Sequence, residues 1–148
     1  MLDACFRKDG VGYGRKNSQW MDANISPAEL EWLQADLRAT NRKTIAFVHQ
    51  RLDLDNAPGI GNSVEVRKIL EQSGKVLAVL QGHYHKNYYR EIGGIHYCTL
   101  AGMIEGIGRE NNAYARMDVL PGHMLRITGF RTQRSYEWKP LTDSGSKS

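Results

Sequence analysis

Two apolar runs joined by a helical segment place the strongest constraint on the fold of this 148-residue chain. The runs "KTIAFVHQ" at 43–50 and "KVLAVLQG" at 75–82 are bounded by polar residues, which predicts strands buried on both faces. Between them, Asn62 and Glu65 stand at capping-box spacing and Gly74 follows the last apolar position, which predicts a helix. A strand, helix, strand unit predicts parallel pairing through a right-handed crossover, so both strands should end at the same edge of the sheet.

A second predicted helix precedes this unit. In "SPAELEWLQADLRAT", Ser26 and Glu29 form a capping-box pattern, and Pro27 occupies the first helical position. Leucines then recur at helical spacing, which indicates one apolar stripe. The sequence therefore predicts an α/β fold with two main helices.

Beyond residue 85 the pattern changes to short apolar segments separated by glycine-containing turns. The segments "YYREIGG", "IHYCTLAGM", "AYARMDVLP" and "MLRITGF" predict a β-meander. No periodicity is visible from residue 131 to residue 148. We therefore expect one domain over residues 1–130, followed by an irregular C-terminal tail over residues 131–148.

Composition excludes several classes of protein. With 41% hydrophobic and 24% charged residues, the chain is typical of a globular domain. No run reaches the roughly 18 apolar residues of a membrane span, and the start lacks the layout of a signal peptide, so we expect no membrane partner and a cytoplasmic location. The net charge of +4 is too weak to indicate nucleic acid binding. Two distant cysteines indicate neither a disulfide scaffold nor a thiolate metal site.

Histidines stand at the carboxyl ends of both predicted parallel strands. His49 ends "IAFVH", while His83 and His85 follow "VLAVLQG" and Gly82, where a glycine permits a sharp turn. Because ligands collect beyond the carboxyl ends of parallel strands, we expect the three imidazoles to converge. Neutral imidazole binds zinc, manganese, iron and nickel, and three such ligands leave positions for water or substrate. The sequence thus indicates a site for a divalent transition metal ion.

The motifs "FVHQ" and "GHYH" resemble the last two motifs of the calcineurin-like metallophosphoesterases. The late segment "NAYARMDV" is similar to the C-terminal part of that family, and the resemblance runs from about Leu2 to Phe130. It implies that His49 and His83 bind one ion and His85 the other ion of a two-metal centre, which makes these three the catalytic residues. It also implies a mixed sheet from the C-terminal half of an α/β/β/α sandwich, and a small phosphoester as substrate.

The earlier motifs of that family do not occur in this sequence. These motifs are Asp-x-His, Gly-Asp-x-x-Asp and Gly-Asn-His-Asp or Glu, and they carry the bridging aspartate, the asparagine ligand and the catalytic histidine. A two-metal mechanism holds the attacking and leaving oxygens between ions about 3.5 to 4 Å apart, and three histidines offer no bridging carboxylate. We therefore expect incomplete or weak catalysis by the isolated chain.

Nearby carboxylates are candidates for the missing ligands. Asp53 and Asp55 follow His49 on a loop that leaves the predicted metal edge, although a polar turn explains them as well. Asp3 is a further candidate, with a solvent-facing strand position as the alternative. Arg51 is the candidate substrate-binding residue, because its guanidinium can hold a phosphate through two donors; a surface salt bridge is the alternative.

Three functions follow from these residues. The first is a metal-dependent phosphoesterase that hydrolyses phosphomonoesters or phosphodiesters with metal-activated water. The second is an inactive metal-binding module derived from such an enzyme. The third is a metal-dependent hydrolase of carboxylic esters, since a Lewis acid with activated water also attacks carbonyl carbon.

The predicted sheet also bears on assembly. Two helices cannot cover both faces of a sheet with doubly buried strands, and soluble monomers tolerate only a few hundred Å² of contiguous apolar surface. We therefore expect a homo-oligomer, with a two-fold dimer as the commonest symmetry.

Overall fold

The structure is a computed structural model that describes residues 1–14, 20–56 and 58–139. Its two α-helices are α1 (Pro27–Ala39) and α2 (Ser63–Ser73). Seven strands are described: β1 (Thr44–Phe47), β2 (Val76–Gln81), β3 (Tyr88–Ile92), β4 (Ile95–Thr99), β5 (Tyr114–Leu120), β6 (Met124–Phe130) and β7 (Tyr136–Trp138). Within the described residues, neither helix has the length and apolar character needed to cross a membrane.

Helix α1 begins as its sequence predicts, with half of the capping box formed. The Ser26 hydroxyl accepts a hydrogen bond from the Glu29 N–H at 3.3 Å, and Pro27 is the first helical residue. The Glu29 carboxylate does not return to Ser26; it accepts the N–H of Asp3 at 2.7 Å. The N-terminal segment is thus tied to the start of α1.

Helix α2 ends at a glycine and begins without a side-chain cap. Gly74 lies in the left-handed region at φ 61°, as expected for a glycine after the last helical turn. The side chain of Asn62, predicted to cap the helix, instead binds both the N–H and the C=O of Ile25. Asn62 therefore joins the two helix starts to each other.

The main sheet has the strand order β1-β2-β4-β3. Strands β1 and β2 are parallel, which confirms the predicted crossover. Strand β4 is parallel to β2, and β3 is antiparallel to β4. The predicted single meander is therefore wrong, because its first two segments join the main sheet.

A second, antiparallel sheet has the order β5-β6-β7. Strand β7 falls inside the stretch predicted to be an irregular tail, and it pairs with β6. Trp138 of β7 is buried and stacks on His96 of β4, with ring centroids 5.1 Å apart. The ordered fold thus extends past residue 130, while residues 140–148 of the predicted tail lie outside the described residues.

The elements form three layers. One apolar core joins the two helices to one face of the main sheet, and a second core joins the other face to the three-stranded sheet. This arrangement confirms the predicted mixed α/β fold with two main helices. Strand β2 is buried on both faces as predicted, but β1 is not: it ends the sheet, and Phe47 is 42% exposed.

Candidate metal centre

Two histidines meet where the parallel strands β1 and β2 end. His49 and His83 each lie two residues beyond the last residue of their strand. Backbone pairing continues past the strands, because the Gly82 N–H donates to the His49 carbonyl oxygen at 2.9 Å. Nδ1 of His83 consequently lies 3.2 Å from Nε2 of His49. The parallel topology thus brings these two side chains together at one sheet edge, as predicted.

The separation of the two ring nitrogens fits a shared metal ion. Two nitrogens bound at about 2.1 Å to one ion lie about 3.0 Å apart at an angle of about 90°, and about 3.4 Å apart at the tetrahedral angle. The observed 3.2 Å between His49 and His83 falls between these values. The separation of the two nitrogens therefore suits ligation of one ion.

The protonation state of His83 also suits ligation. Burial lowers the pKa of His83, and the neighbouring imidazoles of His49 and His85 lower it further. The neutral form, which has the lone pair that binds a metal ion, is thereby favoured.

The turn that presents His83 and His85 has an unusual backbone. His83 has φ 65° and His85 has φ 60°, a region that costs a side-chain-bearing residue about 1–3 kcal/mol. Gly82 was the residue expected to make this turn, but its φ is not positive; a Cβ at Gly82 would instead lie 3.4 Å from the His49 carbonyl oxygen. The glycine thus permits close approach of the two strand ends, while the histidines carry the strained conformation.

His85 is oriented by a carboxylate that the sequence did not indicate. Its Nδ1 lies 2.6 Å from Oε1 of Glu105, and an ionised carboxylate can only accept, so Nδ1 is the donor. This tautomer leaves Nε2 with the lone pair. A carboxylate, histidine, metal chain of this form is the common outer-sphere arrangement of metal ligands.

Two hollows adjoin the turn, and both are lined by His83 and His85. One, of about 410 Å³, is also lined by His49 and by apolar residues: Met1, Phe47, Val48, Leu80, Leu100 and Ala101. The other, of about 860 Å³, lies toward Lys86, Glu105 and Arg134. In the described part of the chain, no three His, Cys, Asp or Glu side chains form a complete metal-binding set. The structure thus brings His49 and His83 together and gives them His85 as a neighbour across a shared cavity.

Arg51 and Asp53 are paired with each other. Nε and Nη2 of Arg51 donate to the two carboxylate oxygens of Asp53 at 2.9 and 2.6 Å, and the side chains are only 4% and 0% exposed. Burial lowers the pKa of the Arg51 guanidinium, but hydrogen bonding and the charge of Asp53 outweigh burial, so the pKa is raised. In this conformation neither group is available to the ligand predicted for it, a phosphate for Arg51 and a metal ion for Asp53.

The Arg51 guanidinium instead supports the histidine turn. It lies 4.2 Å from the ring centroid of Tyr88 and 5.2 Å from that of Tyr84, the residue between His83 and His85. Cations over aromatic faces are attracted at such distances. Arg51 therefore contacts the sheet edge that carries the histidines, through Tyr84 and Tyr88.

The other candidate carboxylates are also engaged. Oδ1 of Asp3 accepts the N–H of Cys5 at 2.8 Å, and Asp55 pairs with Arg67 at 2.5 Å. Asp3 directly follows Leu2, which bridges to Val48 beside His49. Asp3 is thus joined to the histidine edge through its neighbour Leu2.

Sequence reasoning missed Glu105, Lys86 and Arg134. Glu105 lies 20 residues from His85 within a glycine-rich stretch, and Arg134 lies in the predicted tail. Lys86 directly follows the histidine motif, and this adjacency was the one signal available in the sequence. The other two depend on long-range chain folding.

Comparison with known proteins finds a sequence match and a structural match that point to the same kind of enzyme. The chain is 32% identical over 111 residues to a manganese-dependent ADP-ribose/CDP-alcohol diphosphatase from Xenopus laevis, a match that covers 70% of this chain. Its fold matches a dimetal phosphatase from Danio rerio with a TM-score of 0.74 and 20% identity, over 93% of this chain. No protein-family profile matches.

Both matches cover less than half of the other protein. The chain spans 31% of the length of the diphosphatase and 45% of the dimetal phosphatase. Within that extent, the resemblance to metallophosphoesterases is confirmed, and the chain has the fold of part of such a protein. One of these proteins is named a manganese-dependent diphosphatase and the other a dimetal phosphatase, so both names describe metal-dependent phosphatases.

Proposed function

We propose that this chain is the histidine-bearing part of a metal-dependent phosphoester hydrolase. The observation that carries the proposal is the contact of His49 and His83 at the ends of two parallel strands, at a nitrogen separation suited to one ion. We assign His49 and His83 to one divalent ion and His85 to a second. Manganese, iron, zinc and nickel all suit imidazole ligands, and the name of the Xenopus laevis relative favours manganese.

The chain's own residues supply and orient the ligands. Divalent ions bound here would supply Lewis-acid activation of a phosphoryl oxygen and of the attacking water. His49 and His83 contribute neutral nitrogens, and Glu105 fixes the tautomer of His85 so that Nε2 can ligate. Tyr84 is held by Arg51 between the two histidines, which limits movement of the turn.

A diphosphate linkage is the substrate that we propose. The Xenopus laevis relative is named for the hydrolysis of ADP-ribose and CDP-alcohols, and both contain that linkage. We expect weak turnover from the isolated chain, since no carboxylate completes a metal-binding set with the histidines among the described residues. The same observation favours an inactive metal-binding module as the second candidate.

Substitution of two histidines provides a matched test of metal binding. His83 and His123 have nearly the same backbone conformation, with φ 65° and 62°, but His123 lies in an exposed turn between β5 and β6. His83→Ala and His123→Ala therefore share the backbone cost of the change. We expect His83→Ala to weaken Mn²⁺ binding by at least about tenfold in calorimetric titration, and His123→Ala to leave it unchanged.

Hydrolysis assays separate the enzyme from the inactive module. We expect the wild-type chain with Mn²⁺ to hydrolyse bis(4-nitrophenyl) phosphate slowly, and a strong chelator or His83→Ala to abolish the activity. Metal binding without turnover would favour the inactive module. Activity unchanged by chelation, or metal binding unchanged in His83→Ala, would contradict the proposal.

A further inference from the structure

The larger hollow beside the histidine turn has the size of a small-molecule site. Its volume is about 860 Å³, within the range of roughly 300–1,000 Å³ typical of ligand pockets. A single phosphate fills only a small part of such a space. Its lining residues are Pro58, His83, Tyr84, His85, Lys86, Asn87, Ala101, Glu105, Asn111, Thr132 and Arg134.

Two cations line this hollow without a carboxylate partner. Lys86 directly follows His85, and Arg134 lies on the segment after β6; both are exposed. Neither Lys86 nor Arg134 forms an ion pair within the described residues. The carboxylate in the lining, Glu105, is paired with His85. With His85 neutral, the two cations and the one carboxylate of the lining therefore leave the hollow with a net positive charge next to the candidate metal edge.

The backbone that carries Arg134 is fixed to the histidine turn. The Asn87 side chain donates to the Thr132 carbonyl oxygen at 2.7 Å and accepts the Arg134 N–H at 3.0 Å. Buried Gln133 accepts the N–H of Ala101 at 2.8 Å through its side-chain oxygen. These bonds hold the segment in place while the Arg134 side chain stays exposed. A site with a pre-positioned backbone loses less entropy when it binds a ligand.

We infer that Lys86 and Arg134 form an anion subsite for the second phosphate of an organic diphosphate, whose first phosphate lies at His83 and His85. The inference rests on the proposed function for the position of the first phosphate. A guanidinium binds phosphate oxygens through two donors, and an ammonium adds a compact charge. The rest of the hollow leaves room for the organic group. The two cations thus select diphosphates over single phosphates.

Binding of inorganic pyrophosphate to the metal-free protein tests the subsite without catalysis. We compare the wild type with Lys86→Gln, Arg134→Gln and the control Arg131→Gln, whose side chain is exposed but does not line the hollow. We expect the first two variants to weaken pyrophosphate binding by about tenfold in calorimetric titration, and the control to bind like the wild type. Thermal melting checks that all variants fold.

Three results would overturn the anion subsite, and a fourth would separate it from the proposed function. Absence of pyrophosphate binding to the wild type at millimolar concentration overturns the subsite, as does unchanged binding in Lys86→Gln and Arg134→Gln. An equal loss in Arg131→Gln also overturns it, because the effect is then one of overall charge. If His83→Ala leaves Mn²⁺ binding unchanged while Arg134→Gln weakens pyrophosphate binding, the proposed function fails and the anion site stands.

A kinetic comparison extends the test to turnover. We expect Arg134→Gln to raise KM for a diaryl diphosphate with a smaller change in kcat, and to leave KM for bis(4-nitrophenyl) phosphate unchanged. The second substrate has one phosphate, so it does not reach the subsite. An equal rise in KM for both substrates would contradict a role in selecting diphosphates.

Discussion

At the scale of single residues, the buried pair of Arg51 and Asp53 is the feature with the largest expected energetic effect. The Gln81 side chain donates to Asp53 and to the Thr99 hydroxyl, so the carboxylate is held by several donors. Arg90 adds a bond to the Asp53 carbonyl oxygen at 2.9 Å. Removal of one charge from such a pair leaves the other buried without compensation, which is more costly than replacement of both.

We expect Asp53→Asn to destabilise the protein by about 3–5 kcal/mol, because the Arg51 charge remains buried. The matched control is Asp55→Asn, two residues away, whose side chain is 69% exposed and pairs with Arg67. Its loss should be about 0–1 kcal/mol. Urea denaturation of both variants measures the difference. Equal losses in the two variants would show that the Arg51 and Asp53 pair contributes no more than a surface pair.

At the scale of elements, the segment that leaves β4 packs directly against the histidine turn. The Gly102 N–H donates to the His85 carbonyl oxygen at 3.0 Å. A Cβ built at Gly102 would lie 2.9 Å from Cγ and 3.0 Å from Cβ of His85, closer than ordinary contacts. Glu105 comes three residues later and binds the same imidazole. The end of β4 therefore positions His85 both through its backbone and through a side chain.

We expect Gly102→Ala to displace the His85 ring and to weaken Mn²⁺ binding by about tenfold, because metal ligands must be held within about 0.5 Å of their geometry. Gly12→Ala is the control, since the nearest atom to its added Cβ is 3.7 Å away. Neither glycine has a positive φ, so backbone strain does not enter the comparison. Unchanged metal affinity in Gly102→Ala would show that contact with this glycine does not fix His85.

At the scale of the whole molecule, neither face of the main sheet is left open for a second copy of the chain. The second sheet covers the face of the main sheet that the helices leave open, so the chain buries both faces itself. Apolar side chains remain exposed at the β1 edge (Met1 and Phe47), on β5 (Val119) and in the stretch after β4 (Met103, Ile104 and Ile107). Strand β1 ends the main sheet, apart from the bridge between Leu2 and Val48. We expect assembly at this edge, because it combines an outer strand with the exposed side chains of Met1 and Phe47.

We retain a two-fold dimer as the expected state and place its interface at β1. Phe47→Asp should shift the chain toward monomer in sedimentation velocity at micromolar concentration, because a charge at the β1 edge opposes apolar contact. Val64→Asp is the control, since Val64 is equally exposed but lies on α2. A wild-type chain that sediments as a monomer would contradict the prediction.

The sequence by itself determined the parts of this protein that depend on neighbouring residues. Local patterns account for the start of α1 at Ser26 and Pro27 and for the end of α2 at Gly74. They also account for the parallel pairing of β1 with β2 and for the meeting of His49 with His83. Capping, periodicity and crossover handedness are short-range effects, so a window of about 40 residues contains their causes.

Only the tertiary structure decided the partners of residues far apart in the chain. Alternating strands such as β3 to β6 show which positions are apolar but not which strand lies beside which, so the predicted meander divided between two sheets. The same origin explains three further contacts: the pairing of Glu105 with His85, the burial of Arg51 with Asp53 and the placement of Arg134 beside the histidines. These contacts are set by how the three layers pack, and packing depends on the whole chain at once.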